Sequence, residues 1–325
     1  AGFELGFDEI RIKTAENRNQ KAKELFANCD ETGKTPAVDE DDHYLIISAD
    51  DFCYTYDKLA GTFAKMVYKN QNLLDHPMEY NIWRAPTDND RNIKWEWMKA
   101  QYDRIVTRAY ETKLHRTEKE VKIETVLSVS AIYIQRILDI QVTWTVQADG
   151  TVDVAMDVKR NPIFPMLPRF GLRLFLPKEM KDVTYYGLGP VESYVDKHRA
   201  SWHGEFSSPV TGLYEDYIRP QENGSHYDCD FVTLSSNTGH LLPERKTSLT
   251  AVSAQAFSFN ASVYTEEELT NKAHNYELEE CGSTVLCLDY RQNGIGSNSC
   301  GPQLLEKYRL DETEFHFALR LKPEA

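Results

Sequence analysis

Apolar and polar residues alternate strictly along much of the chain, most cleanly in Val121-Lys122-Ile123-Glu124-Thr125-Val126-Leu127-Ser128-Val129. A period of two marks a strand with one face in a core. The same pattern predicts strands at residues 137–146, 151–158, 170–176, 231–235, 256–263, 284–290 and 315–321, separated by Asp-Gly, Gly-Pro or Asn-Gly punctuation. Gln147-Ala148-Asp149-Gly150 reads as the turn of a hairpin. Helical patterning is scarce: only residues 265–275, where Thr265 precedes three glutamates, resemble a short capped helix. The prediction is an all-β fold. Its roughly 15 to 20 strands exceed an immunoglobulin-like sandwich, so they require one oversized antiparallel sandwich or two smaller ones.

Patterning also suggests boundaries. Residues 1–12 read as one strand, residues 13–42 as a polar connector ending in the acidic run Asp39 to Asp42, and residues 43–325 as the main domain. Consecutive acidic side chains point in alternating directions when extended, so that run reads as solvated linker before metal site.

Composition narrows the function. Thirty-seven basic against 51 acidic residues give a net charge of −14, a field that repels phosphate backbones and anionic lipid, so neither nucleic acid nor a membrane is an expected partner. No apolar run approaches the ~20 residues a bilayer requires, and the first residues lack a signal-peptide pattern; the expected location is cytoplasmic. The start at Ala1 instead of Met is expected of a processed or excised chain. Six cysteines without a Cys-x-x-Cys pair read as reduced, mostly buried thiols, with Cys300 in its Gly-Pro loop the best candidate to line a pocket.

Three segments concentrate polar chemistry. The first, Arg84-Ala85-Pro86-Thr87-Asp88-Asn89-Asp90, puts a guanidinium, two carboxylates and an amide on a Pro-stiffened turn; taken alone, such a turn uses Asp to accept backbone hydrogen bonds while Arg84 pairs with one of them. The second, Gly187-Leu188-Gly189-Pro190-Val191-Glu192-Ser193-Tyr194, lacks the βαβ context of a dinucleotide fingerprint, and its glycines read as close backbone packing. The third, Asp216-Tyr217-Ile218-Arg219-Pro220-Gln221-Glu222-Asn223-Gly224, mixes carboxylates, amides and aromatics as sugar sites do, and as charged sandwich loops also do. The histidines show no metal-ligand spacing, and no Gly-x-Ser-x-Gly elbow supports a serine hydrolase.

In order and approximate spacing, these segments together with Gly294-Ile295-Gly296-Ser297-Asn298-Ser299-Cys300-Gly301-Pro302 resemble the C-terminal region of the bacterial β-galactosidases of glycoside hydrolase family 2, which is the small chain where those enzymes are split. The resemblance implies a large antiparallel supersandwich similar to galactose mutarotase. It also implies that residues 2–10 are the last strand of a preceding immunoglobulin-like domain. Family chemistry is double displacement by two carboxylates in a barrel domain that lies outside this sequence, the acid/base in an Asn-Glu dipeptide that is absent from it. The chain alone is therefore expected to be inactive. Further implied are magnesium and a monovalent cation bound by other domains of the parent, partnership with its remaining N-terminal domains or large subunit, a β-galactoside substrate and a homo-oligomeric full enzyme. The pocket-rim residues implied are Arg84, Asp88, Asn89, Asp90, Trp95, Trp97, Ser299 and Cys300; some members carry Trp where this chain has Cys300. Two alternatives stand beside this: a mutarotase-like epimerase using His203 with Glu222, and a carbohydrate-binding module using Arg169, Glu192, Tyr217 and Glu222.

Overall fold

A computed structural model describes residues 6–10, 20–27, 35–236, 246–296 and 300–325. Five strands, β1 (Ala37–Glu40), β2 (Tyr44–Ser48), β3 (Phe52–Asp57), β4 (Thr62–Tyr68) and β5 (Gln71–Asn72), form a meander in sequence order. Twelve more form the main sheet: β6 (His76–Asn81), β7 (Ile105–Arg116), β8 (Glu120–Ala131), β9 (Leu138–Gln147), β10 (Val152–Arg160), β11 (Arg169–Pro177), β12 (Asp182–Gly189), β13 (Trp202–Pro209), β14 (Ser225–Ser235), β15 (Ser248–Ser262), β16 (Ser283–Gln292) and β17 (Glu314–Glu324). The main path runs β13-β12-β14-β15-β17-β10-β9-β8-β7, with a branch β15-β16-β11-β6. Pairing is antiparallel, as a chain rich in short hairpin connections favours. β15 makes the branch possible: Ser248 to Val252 pair with β17, while Ser258 to Ser262 pair with β16.

The small sheet lies over β8 to β10. Tyr54, Tyr56 and Phe63 point inward at alternate positions, and Phe63 meets Trp144 edge to face at 5.2 Å. Two buried donors of this layer reach backbone carbonyls: Trp144 Nε1 donates to the Gly61 carbonyl at 3.1 Å and the Tyr54 hydroxyl to the Gly150 carbonyl at 2.8 Å. The turn expected at 147–150 joins β9 to β10, and Gly150 adopts φ +85° there. A Cβ at this glycine would sit 3.0 Å from the Phe52 ring and 3.0 Å from the Tyr54 hydroxyl, so both conformation and space demand glycine.

Helices are more frequent than the pattern predicts. α1 (Gln20–Ala27) falls inside the expected connector and packs Ala22 against Phe231 and Val252. β1 also begins before the expected boundary. Residues 6–10 carry no strand. α2 (Ile93–Lys99), which carries Trp95 and Trp97, has no counterpart in the pattern, and α3 (Glu266–Asn271) falls within 265–275, where the Thr265 hydroxyl accepts from the Glu268 amide at 3.1 Å. The thiols differ too: Cys229 and Cys287 are buried, whereas Cys53, Cys281 and Cys300 are exposed.

Candidate functional site

The motif segments converge at one end of the sandwich, and interior side chains tie them together. Arg84, which follows β6, is fully buried, and its guanidinium grips Asp90 with two bonds, at 3.2 and 2.8 Å. The same group donates to the carbonyls of Asn293 and Gly294. Asn89 adds a bond from Nδ2 to the Ile295 carbonyl at 2.7 Å. Gln221 accepts from the Asp88 amide at 3.0 Å, and the Glu222 amide donates to the Ala85 carbonyl at 3.0 Å. Glu192 closes the set: its carboxylate accepts from the Gly224 amide at 2.8 Å and the Tyr217 hydroxyl at 2.6 Å, and pairs with Lys197. The motifs thus hold one another as a lattice of charge-assisted bonds at Arg84 and Glu192 and neutral ones between them.

A second buried cluster lies beside it. Arg169, on β11, is wholly enclosed and meets Asp289 at 3.1 and 2.5 Å, Glu222 at 3.3 Å and Glu266 at 3.3 Å. Arg173 completes the neutralisation through Glu266, Glu267 and Glu79. Glu266 also accepts from the Cys287 thiol at 2.8 Å. Burial pushes the Glu222 carboxyl up to about 7, against the pull of Arg169. Burial raises Asp289 as well, whereas at Glu266 the two arginines outweigh it and the carboxyl falls.

Because the Glu222 carboxyl titrates higher folded than unfolded, its protonation stabilises the fold below its unfolded value of 4.5, and that contribution is lost as pH rises toward about 7. Glu222→Gln keeps the shape without the ionisation. Subtracting the E222Q stability profile from the wild-type profile, both from urea unfolding between those limits, should leave a wild-type loss on the order of 3 kcal/mol. A flat difference would mean that Glu222 is already ionised throughout.

These placements correct several expectations. Trp97 is in the core, not on a rim: α2 turns Ile93, Trp97 and Ala100 inward at helical spacing, Trp97 meets Trp83 edge to face at 6.5 Å, and its Nε1 donates to the Met166 carbonyl at 2.9 Å. Trp95 points out, 64% exposed. Arg84 and Asp90 are interior braces, while Asp88 and Cys300 are exposed and Asn89 is partly so. Ser299 lies outside the described residues. Arg169 and Glu222 are sealed and mutually engaged, and Glu192 is committed to its own partners, so the set with Tyr217 does not present itself to a sugar. Nor do His203 and Glu222 form a pair. His203, on β13, bonds Glu9 at 2.8 Å and Asp228 at 2.9 Å in a cleft of 430 Å³ shared with His198 and Arg199, whereas Glu222 bonds Arg169 and Gln292. Sequence patterning does not single out Asp196, whose carboxylate accepts from the Ile295 and Gly296 amides, or Gln292, which donates to Glu222. The signal for Asp196 was a Gly-x-Gly that leaves room for an acceptor.

No three His, Cys, Asp or Glu side chains among the described residues converge to hold a metal ion. No helix among them is long and apolar enough to cross a membrane.

Fold and lattice define an all-β antiparallel domain whose buried motif residues organise one end. The family described as "Beta galactosidase small chain" matches residues 48–321. β-Galactosidases of Actinobacillus pleuropneumoniae and Staphylococcus xylosus are 41% and 37% identical over 97% and 98% of this chain, which spans 30% and 31% of their lengths. Among solved structures, a galactose mutarotase-like protein from Lactobacillus casei aligns over 86% of this chain and 99% of its own, at 11% identity and a TM-score of 0.44. The chain belongs to the β-galactosidase small-chain family.

Proposed function

We propose that this chain is the non-catalytic C-terminal part of a β-galactosidase, completing the substrate pocket while the remaining polypeptide supplies the two reacting carboxylates. The observation that carries this reading is the family match across residues 48–321 in relatives about three times longer. The buried acids agree with it. Retaining hydrolysis needs two carboxyls facing a sugar about 5 Å apart, yet Glu222, Glu266 and Asp289 are enclosed around Arg169. Among the described residues implied at the pocket rim, Asp88, Trp95 and Cys300 are exposed and Asn89 is half-buried, which is the surface this reading turns toward substrate or the partner domains. Metal ions and subunit assembly would be supplied by the rest of the enzyme, and its cytoplasmic setting belongs to the same proposal.

The test is hydrolysis of a chromogenic β-galactoside by this polypeptide alone and after mixing with the remaining portion of its parent. No turnover alone and recovery on mixing is the expected result. Robust turnover by the chain alone would overturn the reading, since it would require a reacting carboxylate pair within these residues.

A further inference from the structure

Asp196 belongs to none of the expected site residues, yet it receives the Gly294–Gly296 segment directly. Its Oδ1 accepts from the Ile295 amide at 3.0 Å and its Oδ2 from the Gly296 amide at 2.7 Å. The flanking glycines are what allow it: a Cβ at Gly294 or at Gly296 would lie 2.7 Å from Asp196 Oδ2. Neither glycine has a left-handed φ, so the requirement is space for the carboxylate, not backbone freedom.

The turn that carries Asp196 is itself stiff. Tyr194 and Lys197 bond each other's backbone at 2.8 and 3.1 Å, the Ser193 amide donates to the Ser225 carbonyl at 2.7 Å, and Lys197 is tied to Glu192. Tyr194 beneath is 2% exposed. From the opposite side, Arg84 and Asn89 take the carbonyls of residues 293 to 295. The two amides and three carbonyls of this short stretch are therefore gripped by Asp196 on one hand and by two side chains of the first motif on the other. A segment held so firmly just before Cys300 has the character of a support for groups that must meet substrate at a fixed distance.

We propose that Asp196 is a positioning residue for substrate binding: its carboxylate fixes the backbone of Ile295 and Gly296 at the pocket this chain completes. The inference rests on the pocket-completing function above. Asp196→Asn preserves volume but turns an NH2 group toward one of the two amides, so the paired acceptor is lost while the packing stays. Two readouts on the reassembled β-galactosidase decide it: amide hydrogen exchange at residues 295 and 296, and the separate values of KM and kcat. With D196N, exchange at the amide that faces the new NH2 group should accelerate by about tenfold or more, as losing a charge-assisted bond implies. KM should rise about tenfold with kcat within about threefold, because a support for binding is absent from the bond-breaking step.

Gly296→Ala should give the same pattern by pushing the carboxylate away, and it serves if D196N does not fold. Unchanged exchange in both variants would overturn the clamp. Faster exchange with unchanged KM would overturn the positioning role, as would equal losses in kcat and thermal stability, which would mark Asp196 as structural only. Failure of the wild-type mixture to hydrolyse the galactoside is seen without any variant; it would remove the proposed function, and the positioning role with it, while exchange still reports on the clamp.

Discussion

Arg169→Met is expected to cost about 3–5 kcal/mol of folding stability, because it leaves buried carboxylates without their counter-ion while preserving most of the side-chain volume. Asp289 faces Arg169 with both oxygens, and Glu222 and Glu266 each lean on its Nη1. Arg173 still neutralises Glu266 in the variant, so the damage falls on Asp289 and Glu222. Urea unfolding of wild type and R169M at pH 5 and pH 8 gives the test. The cost should shrink at the lower pH, where Glu222, already raised to about 7 by burial, takes up a proton and no longer requires a cation. A loss below about 1 kcal/mol at both pH values would show that water reaches the cluster and screens it.

Arg84→Met should be comparably severe, at about 3–5 kcal/mol, and its effect should spread across motifs. The guanidinium serves Asp90 and two carbonyls of the Asn293–Gly294 segment at once, and it also lies 5.3 Å from the centre of the Trp97 ring. Arg84→Lys should recover little, since a point ammonium cannot reproduce a planar fork that bonds Asp90 twice while reaching the carbonyls. The checks are chemical denaturation of both variants and Trp97 fluorescence, which should shift as its environment opens. If R84K unfolds like wild type, the fork geometry is unimportant and only the charge matters.

Much of the fold was legible because period-two patterning survives wherever one face of a strand meets solvent. β9 and β10 show it plainly, with alternate burial along their length, and β8 does so from Glu120 to Leu127. Pattern fails where both faces are covered. β11 opens with four consecutive buried residues, Arg169 to Leu172, so residue type alone assigned Arg169 outward when it is among the most enclosed side chains. α2 was missed for a different reason: seven residues give only two turns, and its single motif-like feature, two tryptophans two apart, places one in the core and one in solvent only once the segment is helical. The order of the motifs identified the site, but their roles depended on long-range pairing. Nothing local distinguishes Glu222, held by a residue 53 positions away, from an acid on a binding surface.

The position of β17 has a consequence for how the molecule comes into being. It is the last strand in chain order, yet it fills the gap between β10 and β15, pairing Val152 with Leu321 on one side and Val252 with Arg320 on the other. During synthesis β7 to β10 can zip as local hairpins as soon as they emerge, and β12 to β14 can do likewise. Joining the two halves directly waits for a strand made more than a hundred residues after β10, a closure whose entropic cost slows folding. Until then the flanks of β10 and β15 stand as open edges with unpaired backbone groups, a template for pairing with another chain. The nascent protein thus passes through an aggregation-prone interval whose length is set by translation speed, and it ends when a single strand seals the seam.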